Sequence, residues 1–210
     1  MNVCVIITAA GRSERYGESD KLAQDLGGRS VLLRTVELFT KRDEVRSIIV
    51  AGPPDSMDEF RAKYGATLGF HGARIVPGGR RHRWETVRSA LNHPDAVPDD
   101  TTHIAVHDAA RPGVSKDVLD RVFQAAASLD AVIPVVPINA TIKRMSDEAV
   151  NVGGHDDDAL ADLILGDAGK VTIPARKVVQ TIDRTGLVEV QTPQVFEVGL
   201  QRGGRCGILQ

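Results

Sequence analysis

Short apolar runs alternate with amphipathic stretches of helical length along the first two thirds of the chain. "VCVIIT", "VRSIIVAG", "ARIVPGG", "THIAVHDAA" and "DAVIPVVP" read as strands, since their apolar residues run on in the manner of strands buried on both faces. Between them "SVLLRTVELFTKR", "SMDEFRAKYG", "RWETVRSALNH" and "SKDVLDRVFQAAASL" carry apolar residues at helical spacing. Ser30 and Ser115 each stand just before such a run and are expected to cap a helix N-terminus, and Pro53-Pro54 marks a turn. The alternation predicts an α/β fold, a mainly parallel sheet flanked by helices.

From about Asn139 this rhythm breaks, and the stretch that runs through "QTPQVF" reads as an extension beyond the main sheet. Within it, "KVTIPARKVVQTIDRTGLVEVQ" predicts a hairpin with Thr185-Gly186 near its turn, and "GGHDDDALADLILGDAG" a solvated loop with a short helix. For "HDDDALAD" a charged exposed face and a metal site are both open readings, and adjacent carboxylates without fixed spacing favour the first. No internal repeat interrupts the chain.

Length and charge narrow the picture. At 210 residues the expectation is one domain, residues 1–210, with 139–190 as a β-arm carrying an insert. A formal net charge of −2 gives no overall field to draw nucleic acid or an anionic membrane, so any cationic site is local. Cys4 and Cys206 form no disulfide framework and match no metal-ligand spacing. With no basic leader and no apolar span near ~18 residues, the chain is expected to be cytoplasmic, with neither a membrane nor nucleic acid as partner.

An open parallel sheet binds ligands at the carboxyl ends of its strands, so the residues just after each apolar run carry the chemistry. After the first come Ala9, Ala10 and Gly11, then Arg12, Arg15 and Lys21. This is neither G-x-x-x-x-G-K-[ST] nor G-x-G-x-x-G. Small residues at 9 to 11 let the backbone approach a planar ring or a phosphate, and the cations of the same loop point to a polyphosphate. After the third run come Gly78, Gly79 and a basic segment ending in Arg83. After the fourth comes "HDAARP", where two readings stay open: an ion pair ending the strand, or Asp108 holding a hydroxyl or hydrated metal while Arg111 holds a phosphate. His107 reads as structural, because no Ser or Cys nucleophile on an elbow accompanies it.

Taken in order, "TAAGRSERYG...DK", the glycine pair with "RWETV", "VHDAARP", "TIKR", "TIDRTGL" and "QTPQVF" resemble the 2-C-methyl-D-erythritol 4-phosphate cytidylyltransferase family over nearly the whole chain. The resemblance implies a Rossmann-like nucleotidyltransferase, usually a homodimer whose protruding β-arms complete each other's sites. It implies an enzyme that transfers CMP from CTP to 2-C-methyl-D-erythritol 4-phosphate with release of pyrophosphate, in non-mevalonate isoprenoid synthesis. Alternatives kept beside it are ribitol 5-phosphate as acceptor, and a truncated, non-catalytic member that binds nucleotide or dimerises.

Carried over by motif, Arg15, Lys21 and Arg184 would be catalytic. Ala9, Ala10, Gly11, Gly78, Gly79, Arg83, Thr86, Asp108 and Ala109 would bind CTP. Asp108, Arg111, Thr141, Arg184 and Thr192 would bind the acceptor, with Arg184 and Thr192 reaching it from the partner subunit. The implied cofactor is Mg²⁺ or another divalent cation, bound mainly through the CTP phosphates and with no protein ligand predicted. Against the family pattern, "GGRRHRWETV" has one additional residue between the glycines and Arg83, Leu22 and Ala23 replace a Gln and an aromatic, and an insert occupies residues 145 to 177. The end of the chain reads as lacking the family's last helix, acidic stretch and lysine-bearing strand.

Overall fold

The computed structural model describes residues 1–11, 20–94, 96–152 and 173–199. The chain divides into two compact units, Met1–Val135 with Val190–Gln210, and Val136–Glu189.

The first unit is built on β1 (Val3–Thr8), α1 (Val31–Glu37), β2 (Val45–Gly52), α2 (Met57–Phe70), β3 (Ala73–Pro77), α3 (Arg83–Asn92), β4 (His103–Asp108), α4 (Lys116–Ala126) and β5 (Ala131–Val132). Its sheet has the order β3-β2-β1-β4-β10-β5, with β10 being Gln194–Glu197. β1 to β4 are mutually parallel, and β10 runs antiparallel to both β4 and β5.

β1 shows why the apolar runs are continuous. Val3, Val5 and Ile7 join one buried cluster, with Leu32, Val36 and Phe39 of the α1 region, Phe60 and Leu68 of α2, and Leu119 and Phe123 of α4. Cys4 and Ile6 point the other way, into a cluster with Val87 and Ala90 of α3, Ile104 and Val106 of β4, and Phe196. Each face needs its own apolar set, so both sets appear in one strand. Both expected caps form: the Ser30 hydroxyl accepts from Leu33 N–H at 3.2 Å and the Ser115 hydroxyl from Val118 N–H at 3.3 Å. Each satisfies an N–H that the helix itself leaves unpaired.

Three expectations change. "DAVIPVVP" is not one strand: Ala131–Val132 pairs with β10, whereas β6 (Val135–Pro137) pairs with β9 (Val188–Val190) in a separate sheet. Pro134 lies at the break, where it has no N–H for a ladder, and its carbonyl accepts from Gln191 N–H at 2.8 Å. "QVFE" is not part of an extension, since it lies inside the main sheet between β4 and β5 with Val195 and Phe196 fully buried.

The third change concerns the hairpin. In the second unit β8 (Ile173–Ile182) pairs antiparallel with β7 (Ile142–Val152), not with the segment after Thr185-Gly186. Gly186 does make a turn, with φ of +77°, but the strands on its two sides belong to different sheets. Residues 145–152 and 173–177 of the insert therefore form limbs of the β7/β8 hairpin, and "GGHDDDALADLILGDAG" lies outside the described residues.

Candidate active site

The chain steps outward from β1 to β2 and β3, then returns to lay β4 on the other side of β1. Such a reversal leaves a crevice beyond the carboxyl ends of the two central strands. Thr8 is in register with both Ala51 and Asp108, so β1, β2 and β4 finish level. Ala9 N–H then donates to Ala51 O at 2.8 Å, Ala109 N–H to Thr8 O at 3.2 Å, and Gly78 N–H to Gly52 O at 2.8 Å. These bonds hold the loops after β1, β3 and β4 at one rim.

The small residues of that rim are required by packing. A Cβ on Gly78 would lie 2.7 Å from Ala10 Cβ and 2.9 Å from Thr86 Cγ2. One on Gly79 would lie 2.4 Å from Glu85 Cβ. Thr86 Oγ1 accepts from Gly79 N–H at 3.1 Å, which ties the loop to α3. Glu85 accepts from Arg81 N–H at 3.1 Å and His82 N–H at 3.4 Å, and the Arg81 bond foremost holds its carboxyl below the usual range. A Cβ on Gly11, by contrast, would meet nothing within 4 Å among the described residues.

At the centre is a carboxylate between two guanidiniums. Asp108 Oδ1 accepts from Arg83 Nε at 3.0 Å, and Oδ2 from Arg111 Nε at 2.9 Å. Arg83 Nη1 donates to Gln194 Oε1 at 3.0 Å, and Arg111 Nη1 donates to Gln191. Of the two readings of "HDAARP", the ion pair is the one seen: Asp108 ends its strand paired with Arg83 and Arg111, and so holds the two guanidiniums side by side. Arg83 Nη2 is buried and has no hydrogen-bond partner among the described residues.

His107 shapes the turn that follows. It is fully buried, its Nε2–H donates to Arg111 O at 3.0 Å, and its ring meets Phe39 edge-on at 5.2 Å. Thr35 Oγ1 donates to Ala109 O at 2.8 Å from α1. Burial pushes the His107 pKa down to about 4. As pH falls from about 6.5 to about 4, the unfolded chain takes up a proton that folded His107 refuses, so stability is lost across that window and is fully present above it. The shift corresponds to on the order of 3 kcal/mol. Imidazole NMR is expected to show one histidine still neutral at pH 5 in the folded protein, with the unfolding midpoint lower at pH 5 than at pH 7; a His107 titrating near 6.5 would contradict this.

The remaining expected residues are placed as follows. Ala9, Ala10, Gly78, Gly79, Arg83, Thr86, Asp108, Ala109 and Arg111 come together at the crevice. Thr192 is buried between the two glutamines that hold the arginines, and its Oγ1 has no hydrogen-bond partner among the described residues. Arg15 lies outside the described residues. Lys21 opens a short 3-10 helix, Lys21–Ala23, whose cap Asp20 accepts from Leu22 N–H at 3.0 Å, Lys63 Nζ at 2.7 Å and Tyr64 OH at 2.6 Å. Burial alone would raise the Asp20 pKa, but these bonds outweigh it and hold the carboxyl low. Leu22 and Ala23, which replace the family's polar and aromatic pair, pack on the larger core cluster. In the second unit Thr141 and Arg184 are exposed, and Arg184 donates to Asn139 O.

Three contributors escaped the sequence reading: Asp20, Gln191 and Gln194. The glutamines flank Thr-Pro in "QTPQ", a visible signal, but their arginine partners lie 80 and 111 positions away.

An open α/β sheet with small-residue loops and paired guanidiniums at its switch point belongs to the Rossmann-like nucleotidyltransferase class. Residues 3–165 match the model of the family described as 2-C-methyl-D-erythritol 4-phosphate cytidylyltransferase, IspD, and the chain belongs to that family. It is 37% identical over 198 residues to the 2-C-methyl-D-erythritol 4-phosphate cytidylyltransferase of Frankia casuarinae, covering 92% of this chain and 60% of that one. It is 34% identical over 207 residues to that of Saccharopolyspora erythraea, covering 96% and 78%. The chain therefore spans less than two thirds of the first relative and more of the second. Its fold matches the crystal structure of the Francisella tularensis enzyme with a TM-score of 0.64 at 24% identity, over 97% of this chain and 76% of that one.

Proposed function

We propose that the crevice transfers CMP from CTP to 2-C-methyl-D-erythritol 4-phosphate and releases pyrophosphate. The observation that carries this reading is the Arg83-Asp108-Arg111 constellation beside Ala9–Gly11 at the switch point, in a chain of this family. In it Ala9, Ala10, Gly11, Gly78 and Gly79 form the nucleotide floor, with Arg83, Thr86, Asp108 and Ala109 around it. Arg15 and Lys21 take the triphosphate, and Asp108, Arg111 and Thr141 take the acceptor, with Arg184 and Thr192 reaching it from a partner subunit.

The acceptor phosphate is already an anion near neutral pH, so the reaction needs no general base. What it needs is position and charge: the attacking oxygen in line with the α-phosphorus, and cations where charge grows on the equatorial and leaving oxygens. The two forks fixed by Asp108 supply the first requirement, since a guanidinium held on two sides cannot swing. His107, neutral and buried, takes no part in proton transfer.

A divalent cation fits as a passenger of the nucleotide. Among the described residues no group of three or more His, Cys, Asp or Glu could cage an ion, and Asp108 carries two guanidinium partners. That donor set suits Mg²⁺ held by phosphate oxygens and water, where it would neutralise triphosphate charge.

A homodimer through the arm is part of the same proposal. The second unit exposes Met145, Val178, Val179, Leu187 and Val188, apolar surface that a two-stranded hairpin cannot cover alone. A cytoplasmic setting belongs to the same proposal and accords with Cys4 being a free, buried thiol. Among the described residues no helix is long and apolar enough to cross a membrane.

The test is pyrophosphate release by the purified chain with CTP, Mg²⁺ and the methylerythritol phosphate. Release above a Lys21→Ala control is expected. Release no faster than that control, or a higher kcat/KM with ribitol 5-phosphate, would overturn the proposal.

A further inference from the structure

We propose that Asp20 and Tyr64 are positioning residues for Lys21: the Tyr64 hydroxyl, carried on α2, grips the Asp20 carboxylate and so fixes where the lysine stands. The inference rests on Lys21 taking the triphosphate. It adds a helix that supplies no residue to the crevice itself.

The backbone of Lys21 is spanned by two bonds that begin at its neighbour. Asp20 Oδ1 accepts from Leu22 N–H at 3.0 Å, and Asp20 O accepts from Ala23 N–H at 3.1 Å, so wherever Asp20 goes Lys21 follows. Asp20 in turn is held from a distant part of the chain, because its Oδ2 accepts from Tyr64 OH at 2.6 Å and from Lys63 Nζ at 2.7 Å. At the other end of the segment Ala9 N–H donates to Ala51 O at 2.8 Å. One end is thus tied to the sheet and the other to α2.

The two partners on α2 differ in weight. The Lys63 and Asp20 side chains are 48% and 39% exposed, and an ion pair screened to that degree fixes little. Tyr64 is 6% exposed, and its ring packs on Phe60 with centroids 4.8 Å apart inside the larger core cluster. A hydroxyl on a ring so packed has one place to be, and its bond to a carboxylate is charge-assisted. Leu22 and Ala23 rest on the same cluster, which supports the segment from below. Charge gives a second reason for the arrangement. Asp20 puts a negative group beside a lysine that serves an anion, which opposes binding unless that group is engaged. Donors on both of its oxygens engage it.

The test is the affinity of the full chain for CTP with Mg²⁺, measured by calorimetry, a readout that does not depend on the acceptor. Tyr64→Phe removes one hydroxyl and keeps the ring, and circular dichroism checks that the variants fold. It is expected to weaken CTP binding about fivefold, the scale of one lost hydrogen bond, whereas Lys63→Ala should cost less than about twofold. In a Lys21→Ala background Tyr64→Phe should also cost less than about twofold, because residues that act through one another are not additive. Asp20→Asn should bind CTP better than Asp20→Ala, since an amide can accept from Leu22 N–H and donate to the Tyr64 oxygen. Wild-type affinity in Tyr64→Phe, or an equal loss with Lys21 already absent, would overturn the proposal and leave the reading of Lys21 intact. A Lys21→Ala variant that binds CTP as the wild type does would remove that reading and this proposal with it.

Discussion

Asp108→Ala is expected to lower the rate of pyrophosphate release about 100-fold while shifting stability by less than about 1 kcal/mol. The asymmetry follows from the geometry. Asp108 pairs with Arg83 at 3.0 Å and Arg111 at 2.9 Å, but the three side chains are 30%, 34% and 42% exposed. Solvent screens pairs of this exposure, so their net contribution to folding is small. Their contribution to position is not small, because Asp108 alone fixes both Nε atoms. Without it each fork keeps one restraint, Gln194 or Gln191, and can turn about that single contact.

Steady-state kinetics and thermal unfolding on the same preparation check the split. A variant that loses activity in proportion to a large fall in unfolding midpoint would show that Asp108 holds the fold rather than the forks. Asp108→Asn should fall between wild type and Ala, since an amide can still accept one guanidinium N–H with one oxygen.

How much of this was legible in the chain depends on sequence distance. The ends of β1, β3 and β4 were visible because an apolar run stops at Thr8, Pro77 and Asp108 and small or charged residues follow. Ser30 and Ser115 were visible because a cap and the N–H it satisfies lie within three residues. β10 was not, since four residues give no period, and Val195 and Phe196 are buried only because β4 and β5, far away in sequence, close on either side. The same holds for the arm, where β8 had a nearer candidate partner beyond Thr185-Gly186 and chose β7.

Asp20 shows the limit most clearly. It has no local pattern before Lys21, and its meaning lies in Tyr64 and Lys63 on α2. Burial first, then the bond to Asp20, drives the Tyr64 pKa upward, so the phenol stays a donor and keeps the end of the loop fixed. None of these pairings has a local pattern to announce it; each is set by the sheet order.

The other large effect concerns the mid-chain glycines. Gly79→Ala should destabilise the protein by about 1–3 kcal/mol, as overpacking of a closed site does, and raise the KM for CTP at least about tenfold, the scale that a misplacement near 1 Å produces. The new Cβ would lie 2.4 Å from Glu85 Cβ, 2.6 Å from Thr86 N and 2.7 Å from Glu85 C. These are atoms of the α3 backbone or one bond from it, so no rotamer change relieves the contact and the loop itself must move. Moving it breaks the 3.1 Å bond from Gly79 N–H to Thr86 and displaces the wall that Gly78 shares with Ala10. Gly113→Ala is the matched control, because a Cβ there meets nothing within 4 Å among the described residues. Equal midpoints and equal KM values in the two variants would mean that the loop tolerates the shift, and that the glycine pair is not what shapes the nucleotide floor.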